Sequence, residues 1–117
     1  MVHPALALLH RQRDAWNAGD LDGYLASCAS DIVYLTRRGP VVGRQAVRSV
    51  MAAAYPTPAA MGSLGVDVLR ADVGDTCAHF LLRVRLVRAG IETTGHAIVA
   101  LELRNGAWCM THDATVG

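Results

Sequence analysis

The chain has 117 residues, 52% hydrophobic and only 5% aromatic, so the expectation is one domain spanning residues 1–117 with a core of Ala, Val and Leu. Eleven Arg against ten acidic residues give a net charge of +1, which offers no electrostatic basis for binding nucleic acid or an acidic membrane surface. Cys28, Cys77 and Cys109 are widely spaced and form no C-x-x-C pair, so neither a zinc site nor a disulfide framework is expected. The apolar run from Pro4 to Leu9 is too short to span a membrane and lacks the basic-then-apolar order of a signal peptide. A reducing, cytoplasmic location follows as an expectation.

Residues 4–18 read as a helix, with Pro4 suited to its first turn and Ala5, Leu8, Leu9, Gln12 and Trp16 forming the inward stripe. Gln12 puts an amide into that stripe. Gly19 suits the position after a helix end, and Asp20 suits the N-cap of a second helix over residues 21–29. Leu21, Tyr24, Leu25 and Cys28 share one side of it. Ile32 to Thr36 is a short β-branched and aromatic strand, and Arg37-Arg38-Gly39-Pro40 is a turn. Arg44 to Tyr55 is a third helix with Val47, Val50, Met51 and Ala54 inward; Tyr55-Pro56 ends it, because the residue before proline disfavours the helical region. Pro56 to Gly62 reads as a loop.

The remainder is strands: Val66 to Val73, Cys77 to Arg88, Glu92 to Leu103 and Trp108 to Thr115. Turns at Ala89-Gly90 and Asn105-Gly106 join the last three, and Asn-Gly between alternating runs is a strong hairpin signal. Three helices followed by a long antiparallel sheet make an α+β fold. Alternation puts Ala78, Phe80, Leu82, Val84 and Leu86 on one face, with Ala97, Val99, Leu101 and Leu103 beside them; His79, Arg83, Arg85, His96 and Glu102 take the other. In the last strand, strict alternation groups Trp108, Met110, His112, Ala114 and Val116 on the helix-covered face and turns Asp113 outward.

The run Trp16-Asn17-Ala18-Gly19-Asp20-Leu21-Asp22-Gly23 resembles the nuclear-transport-factor-2-like superfamily. So do Ala29-Ser30-Asp31-Ile32-Val33-Tyr34 and Val42-Gly43-Arg44-Gln45-Ala46-Val47. That superfamily includes ketosteroid isomerases, limonene-epoxide hydrolases and SnoaL-like polyketide cyclases. The ending Trp108-Cys109-Met110-Thr111-His112 is most similar to the small SnoaL-like group. The resemblance implies a cone-shaped curved sheet with three N-terminal helices on its concave face, a pocket between them, and homodimerisation through the outer face. Arg83, Arg85 and Glu102 would suit such a polar contact.

On alternation, the pocket's polar content is Gln12, Tyr34, Thr36 and His112, and its wall is Trp16, Met51, Tyr55, Phe80 and Val99, a form suited to a small apolar molecule. Lining up the shared turn places Gln12 and Thr36 where ketosteroid isomerases carry a Tyr donor and an Asp base, and Val99 falls at the second acid. Steroid isomerisation by that mechanism is therefore excluded. An epoxide hydrolase needs inward aspartates, which alternation denies unless a β-bulge reverses one strand's parity. His112 remains as the proton-transfer candidate, with Gln12 and Tyr34 orienting a carbonyl or phenolic oxygen. A half-buried structural role for His112 is the competing reading. His79 and His96 lack a third ligand in reach, so no metal is expected, and the absence of nucleotide-binding glycine motifs gives no support for a cofactor. Two functions stay open: an isomerase- or cyclase-like enzyme using acid–base chemistry, and a non-catalytic ligand-binding or dimerisation domain.

Overall fold

The computed structural model describes residues 2–117. Helix α1 (Pro4–Asn17) has proline in its first turn and buries Ala5, Leu8, Leu9, Gln12 and Trp16, the stripe read from spacing. Gly19 takes a φ of +72° just beyond it, a conformation that favours glycine. A Cβ there would also stand 2.5 Å from the Pro58 Cβ, so this turn admits no side chain without movement. Asp20 caps α2 (Leu21–Leu25) by accepting a hydrogen bond from the Gly23 amide at 2.9 Å.

Helix α2 ends well short of residue 29. Cys28 lies instead in β1 (Cys28–Thr36), which is longer than its apolar run suggested because its first residues pair with the C-terminal strand. Strand β2 (Gly39–Val42) returns antiparallel to β1, so the expected turn is the tip of a hairpin. Helix α3 (Arg44–Ala54) buries Val47 and Met51, while Val50 and Ala54, expected inward, are exposed. The segment read as a loop contains one helical turn, α4 (Pro58–Met61), capped by the Thr57 hydroxyl.

Four long strands follow: β3 (Ser63–Val73), β4 (Cys77–Arg88), β5 (Ile91–Arg104) and β6 (Ala107–Val116). They complete a six-stranded curved sheet of order β2-β1-β6-β5-β4-β3. All its neighbours are antiparallel except β1 and β6, which run parallel, a pairing no local pattern announces. The β4–β5 turn puts Ala89 and Gly90 at φ of +49° and +78°, and the β5–β6 turn puts Asn105 and Gly106 at +52° and +79°. These are the mirror-image turns whose twist matches that of the strands they join.

The helices cover one face of the sheet. Ala78, Phe80 and Leu82 of β4 and Ala97, Val99 and Leu101 of β5 are buried beneath them, as alternation required. Strand β6 departs from alternation halfway along. Leu101 pairs with Met110, but Ala100 pairs with His112, so Thr111 is an extra residue in the ladder. Its hydroxyl donates to the Ala100 carbonyl at 3.2 Å and so anchors the bulge. Beyond it, inside and outside exchange.

Candidate functional site

A cavity of about 410 Å³ lies between the helices and the sheet. Gln12, Trp16, Tyr24, Tyr34, Thr36, Met51, Tyr55, Val99, Asp113 and Thr115 are among its lining residues. Helix α1 supplies the amide and the indole, α2 supplies Tyr24, the residue capping the end of α3 is Tyr55, and β1 supplies Tyr34. Trp16 ties several of these elements together. Its indole N–H donates to the Met61 carbonyl at 2.8 Å, tying α1 to α4, and its ring packs edge-on against Tyr24 and Tyr55 with centroids 5.2 and 4.9 Å apart. Arg88 covers the Tyr55 ring at 4.8 Å from the centroid.

The bulge places the carboxylate. Alternation turned Asp113 outward and His112 inward; the structure reverses both. Asp113 is only 9% exposed and lines the cavity, whereas His112 is exposed on the outer face. There its Nδ1 lies 2.9 Å from the Thr111 hydroxyl. That hydroxyl already gives its proton to Ala100, so His112 Nδ1–H is the donor. The extra residue at Thr111 is the whole cause: a strand of period 2 that gains one residue exchanges its faces. The cavity therefore does contain a carboxylate, which strict alternation denied it.

The Asp113 carboxylate accepts one hydrogen bond, from the Thr115 hydroxyl at 2.9 Å. Burial raises its pKa above the ordinary carboxylate value, and the Thr115 hydrogen bond only partly opposes that. Tyr34 is its register neighbour across the parallel β1–β6 pair, on the same face and about 4.8 Å away along the hydrogen-bonding direction. Burial, with Asp113 nearby, pushes the Tyr34 phenol up to about 12 and the Tyr24 phenol well above its ordinary value. Both hydroxyls therefore hold their protons at cellular pH and can donate. Burial likewise lifts the Cys28 thiol to about 12, leaving it protonated and unreactive.

Gln12 is 4% exposed and poorly satisfied. Its Nε2 reaches the Tyr24 carbonyl at 3.5 Å, Cys28 Sγ at 3.7 Å and Met110 Sδ at 3.9 Å, all long contacts. Its Oε1 has no hydrogen-bond partner among the described residues, yet no buried side-chain oxygen is left unpaired, so that oxygen opens to the cavity. The expected wall residues Trp16, Met51, Tyr55 and Val99 do line the cavity. Phe80 does not: it is buried in the core away from the cavity. Thr36 lines it, but its hydroxyl donates to the Gly39 carbonyl at 2.8 Å and accepts from the Arg38 amide, closing the β1–β2 turn. Tyr24, Asp113 and Thr115 are the functional candidates the sequence reading left out. The polar run Thr111-His112-Asp113 inside an apolar strand was the available signal for a break in alternation.

Among the described residues no helix is long and apolar enough to cross a membrane. The three cysteines are free, and Cys77 and Cys109 flank Glu102 on opposite sides, two strand spacings or about 10 Å apart, too far to bridge.

The SnoaL-like domain family matches residues 9–110. No curated protein matches the chain. Among solved structures, a nuclear-transport-factor-2-like protein of unknown function from Shewanella oneidensis superposes with a TM-score of 0.88 at 23% identity, over 94% of this chain and 93% of that one. A putative calcium/calmodulin-dependent protein kinase type II association domain from Thiobacillus denitrificans gives 0.77 at 20%, over 98% and 96%. A ketosteroid isomerase-like protein from Erwinia carotovora atroseptica gives 0.74 at 14%, over 96% and 92%. At such identities the likeness to these structures is one of fold. With most of its length matched by one family model, the chain belongs to the SnoaL-like domain family, and its sheet and helices are laid out as in the nuclear-transport-factor-2-like fold of these structures.

Proposed function

We propose that the protein is a small-molecule enzyme that moves a proton on a neutral, largely apolar carbonyl or phenolic substrate, as an isomerase or cyclase does. The observation that carries this reading is the buried Asp113 carboxylate facing a mainly apolar cavity beside protonated phenols. Asp113 acts as the general base. It takes a proton from the carbon next to the substrate carbonyl, and the electron pair of that C–H bond moves onto the carbonyl oxygen as an enolate. Tyr34 donates a hydrogen bond to that oxygen, and Asp113 then returns the proton to a different atom of the substrate; Gln12, expected as a second donor, directs its Nε2 to the Tyr24 carbonyl instead. A base whose pKa is raised toward the working pH is well matched to this task. Trp16, Met51, Tyr55 and Val99 hold the substrate's apolar body.

The protein works as a homodimer through the outer sheet face in this reading. Leu81, Ile98, Ala114 and Leu35 are successive register neighbours across β4, β5, β6 and β1, and they form an apolar row on that face with Ile98 60% exposed. Arg85 and Glu102, expected at such a contact, pair within the chain with Glu92 and Arg104, so the apolar row is the stronger basis. The free thiols fit a reducing cytoplasm.

The test is a thermal-shift screen against polycyclic ketones, phenols and epoxides. A ligand at 100 times its dissociation constant stabilises the fold by about 2.7 kcal/mol, a rise of several degrees. Hits confined to neutral carbonyl or phenolic compounds support the reading, and silence across the panel refutes it.

A further inference from the structure

The cavity's charge balance has a second consequence for what it binds. Among the described lining residues the only carboxylate side chain is Asp113, and the only cations are Arg13 and Arg37. Arg37 is exposed, and Arg13 is partly exposed and held by Asp14 at 3.0 Å, so both belong to the rim. Asp113 therefore sits nine-tenths buried with a single hydroxyl donor and no counter-charge. A buried carboxylate in that state is short of a cation and of hydrogen-bond donors. Gln12 Oε1, lining the same cavity, is likewise an acceptor without a donor among the described residues. Four aromatic rings, those of Trp16, Tyr24, Tyr34 and Tyr55, complete the lining, and aromatic faces attract cations.

An ammonium head answers all three features at once. It carries the missing positive charge, it has only donors to offer, and aromatic walls suit it. We propose that the cavity binds primary amines with a compact apolar body, held as ammonium ions against Asp113 and Gln12 Oε1, and that such amines block the site. The inference rests on the reading of the cavity as a ligand site headed by Asp113. It does not require that Asp113 be a catalyst. An amine bound in this way occupies the base, so it competes with a carbonyl substrate and is not itself turned over.

The experiment uses three compounds of one shape: α-aminotetralin, α-tetralol and α-tetralone. Calorimetric titration of the full chain gives their affinities for the wild type and for Asp113→Asn, with circular dichroism confirming that the variant is folded. The expected result is that wild type binds the amine at least about tenfold more tightly than the alcohol. In Asp113→Asn that preference collapses to about one, while alcohol affinity changes little. Equal affinity of amine and alcohol for the wild type overturns the proposal, as does a preference that survives in Asp113→Asn or the binding of none of the three. The ketone separates this inference from the enzymatic reading. Amine binding with Asp113-dependent preference, but no proton exchange in α-tetralone, keeps the ammonium site and discards the catalyst. Exchange in the ketone without amine preference does the reverse.

Discussion

Asp113→Asn should stabilise the folded protein increasingly as pH rises. Burial holds the folded carboxyl's pKa above the 3.8 it has when exposed, so the folded state keeps a proton that the unfolded state has released. The sign follows from linkage. Below 3.8 both states are protonated and wild type has its full stability from this group; between 3.8 and the folded pKa, stability falls by about 1.4 kcal/mol per pH unit; above the folded pKa the loss is complete and constant. Asparagine carries no charge at any of these pH values and keeps an acceptor for Thr115. Its added NH2 group has its own cost, about 1–3 kcal/mol if it finds no acceptor, but that offset does not depend on pH. Tyr24, Tyr34 and Cys28 titrate far above this range and leave the comparison undisturbed. The quantity to follow is therefore the difference in melting temperature between variant and wild type from pH 4 to pH 8. It should widen in the variant's favour by about 3–6 °C for each kcal/mol, then level off at the folded pKa. Differential scanning calorimetry in matched buffers measures it. A difference that stays constant across the range, or that narrows as pH rises, would refute the claim that Asp113 is held in a dry cavity.

Four further substitutions probe the supports of the site. Thr111→Val removes the hydroxyl that bonds the Ala100 carbonyl at the bulge and should cost about 0.5–1.5 kcal/mol in urea unfolding, because the half-buried carbonyl loses that donor. Trp16→Phe leaves the Met61 carbonyl unpaired and should lower the melting temperature by a similar free energy while loosening ligand binding. Ala89→Asn should raise stability by roughly 0.5–1 kcal/mol, since Ala89 sits at a φ of +49° in a turn that favours Asn-Gly; no gain on thermal melting would contradict the turn geometry. Ile98→Arg, in the middle of the exposed apolar row, should leave only monomer in analytical ultracentrifugation, where the proposed dimer predicts the wild type to sediment as two chains, without loss of helical signal.

The fold was legible because its signals are local. The stripe from Ala5 to Trp16, the Gly19-Asp20 turn and the Asn105-Gly106 hairpin each follow from the conformational preferences of a few adjacent residues. The alternating strands around Phe80 and Val99 kept their register for their whole length, so their inward faces read correctly. The site was legible only in part. Gln12, Trp16 and Met51 sit on helices whose faces are set by spacing, Tyr55 directly follows the last turn of α3, and all four reach the cavity. Asp113 was misread because one inserted residue at Thr111 exchanges the faces of β6, and period-2 reasoning carries no information about such an insertion. Spacing puts Tyr24 on the apolar side of α2 without marking it as a cavity group, because the helix ends at Leu25, about one turn before its pattern suggests. The parallel contact of β1 with β6, which sets Tyr34 beside Asp113, joins residues some eighty positions apart, and only the folded sheet brings them together.

The most direct test of the central claim is hydrogen–deuterium exchange at the carbon next to the carbonyl of α-tetralone, followed by proton NMR in D2O with wild type and with Asp113→Asn. Wild type should accelerate the exchange over buffer, and the variant should lose about a hundredfold or more of that acceleration while still binding the ketone. If the ketone binds and wild type exchanges its proton no faster than the variant, Asp113 is not a base and the cavity is a binding site alone.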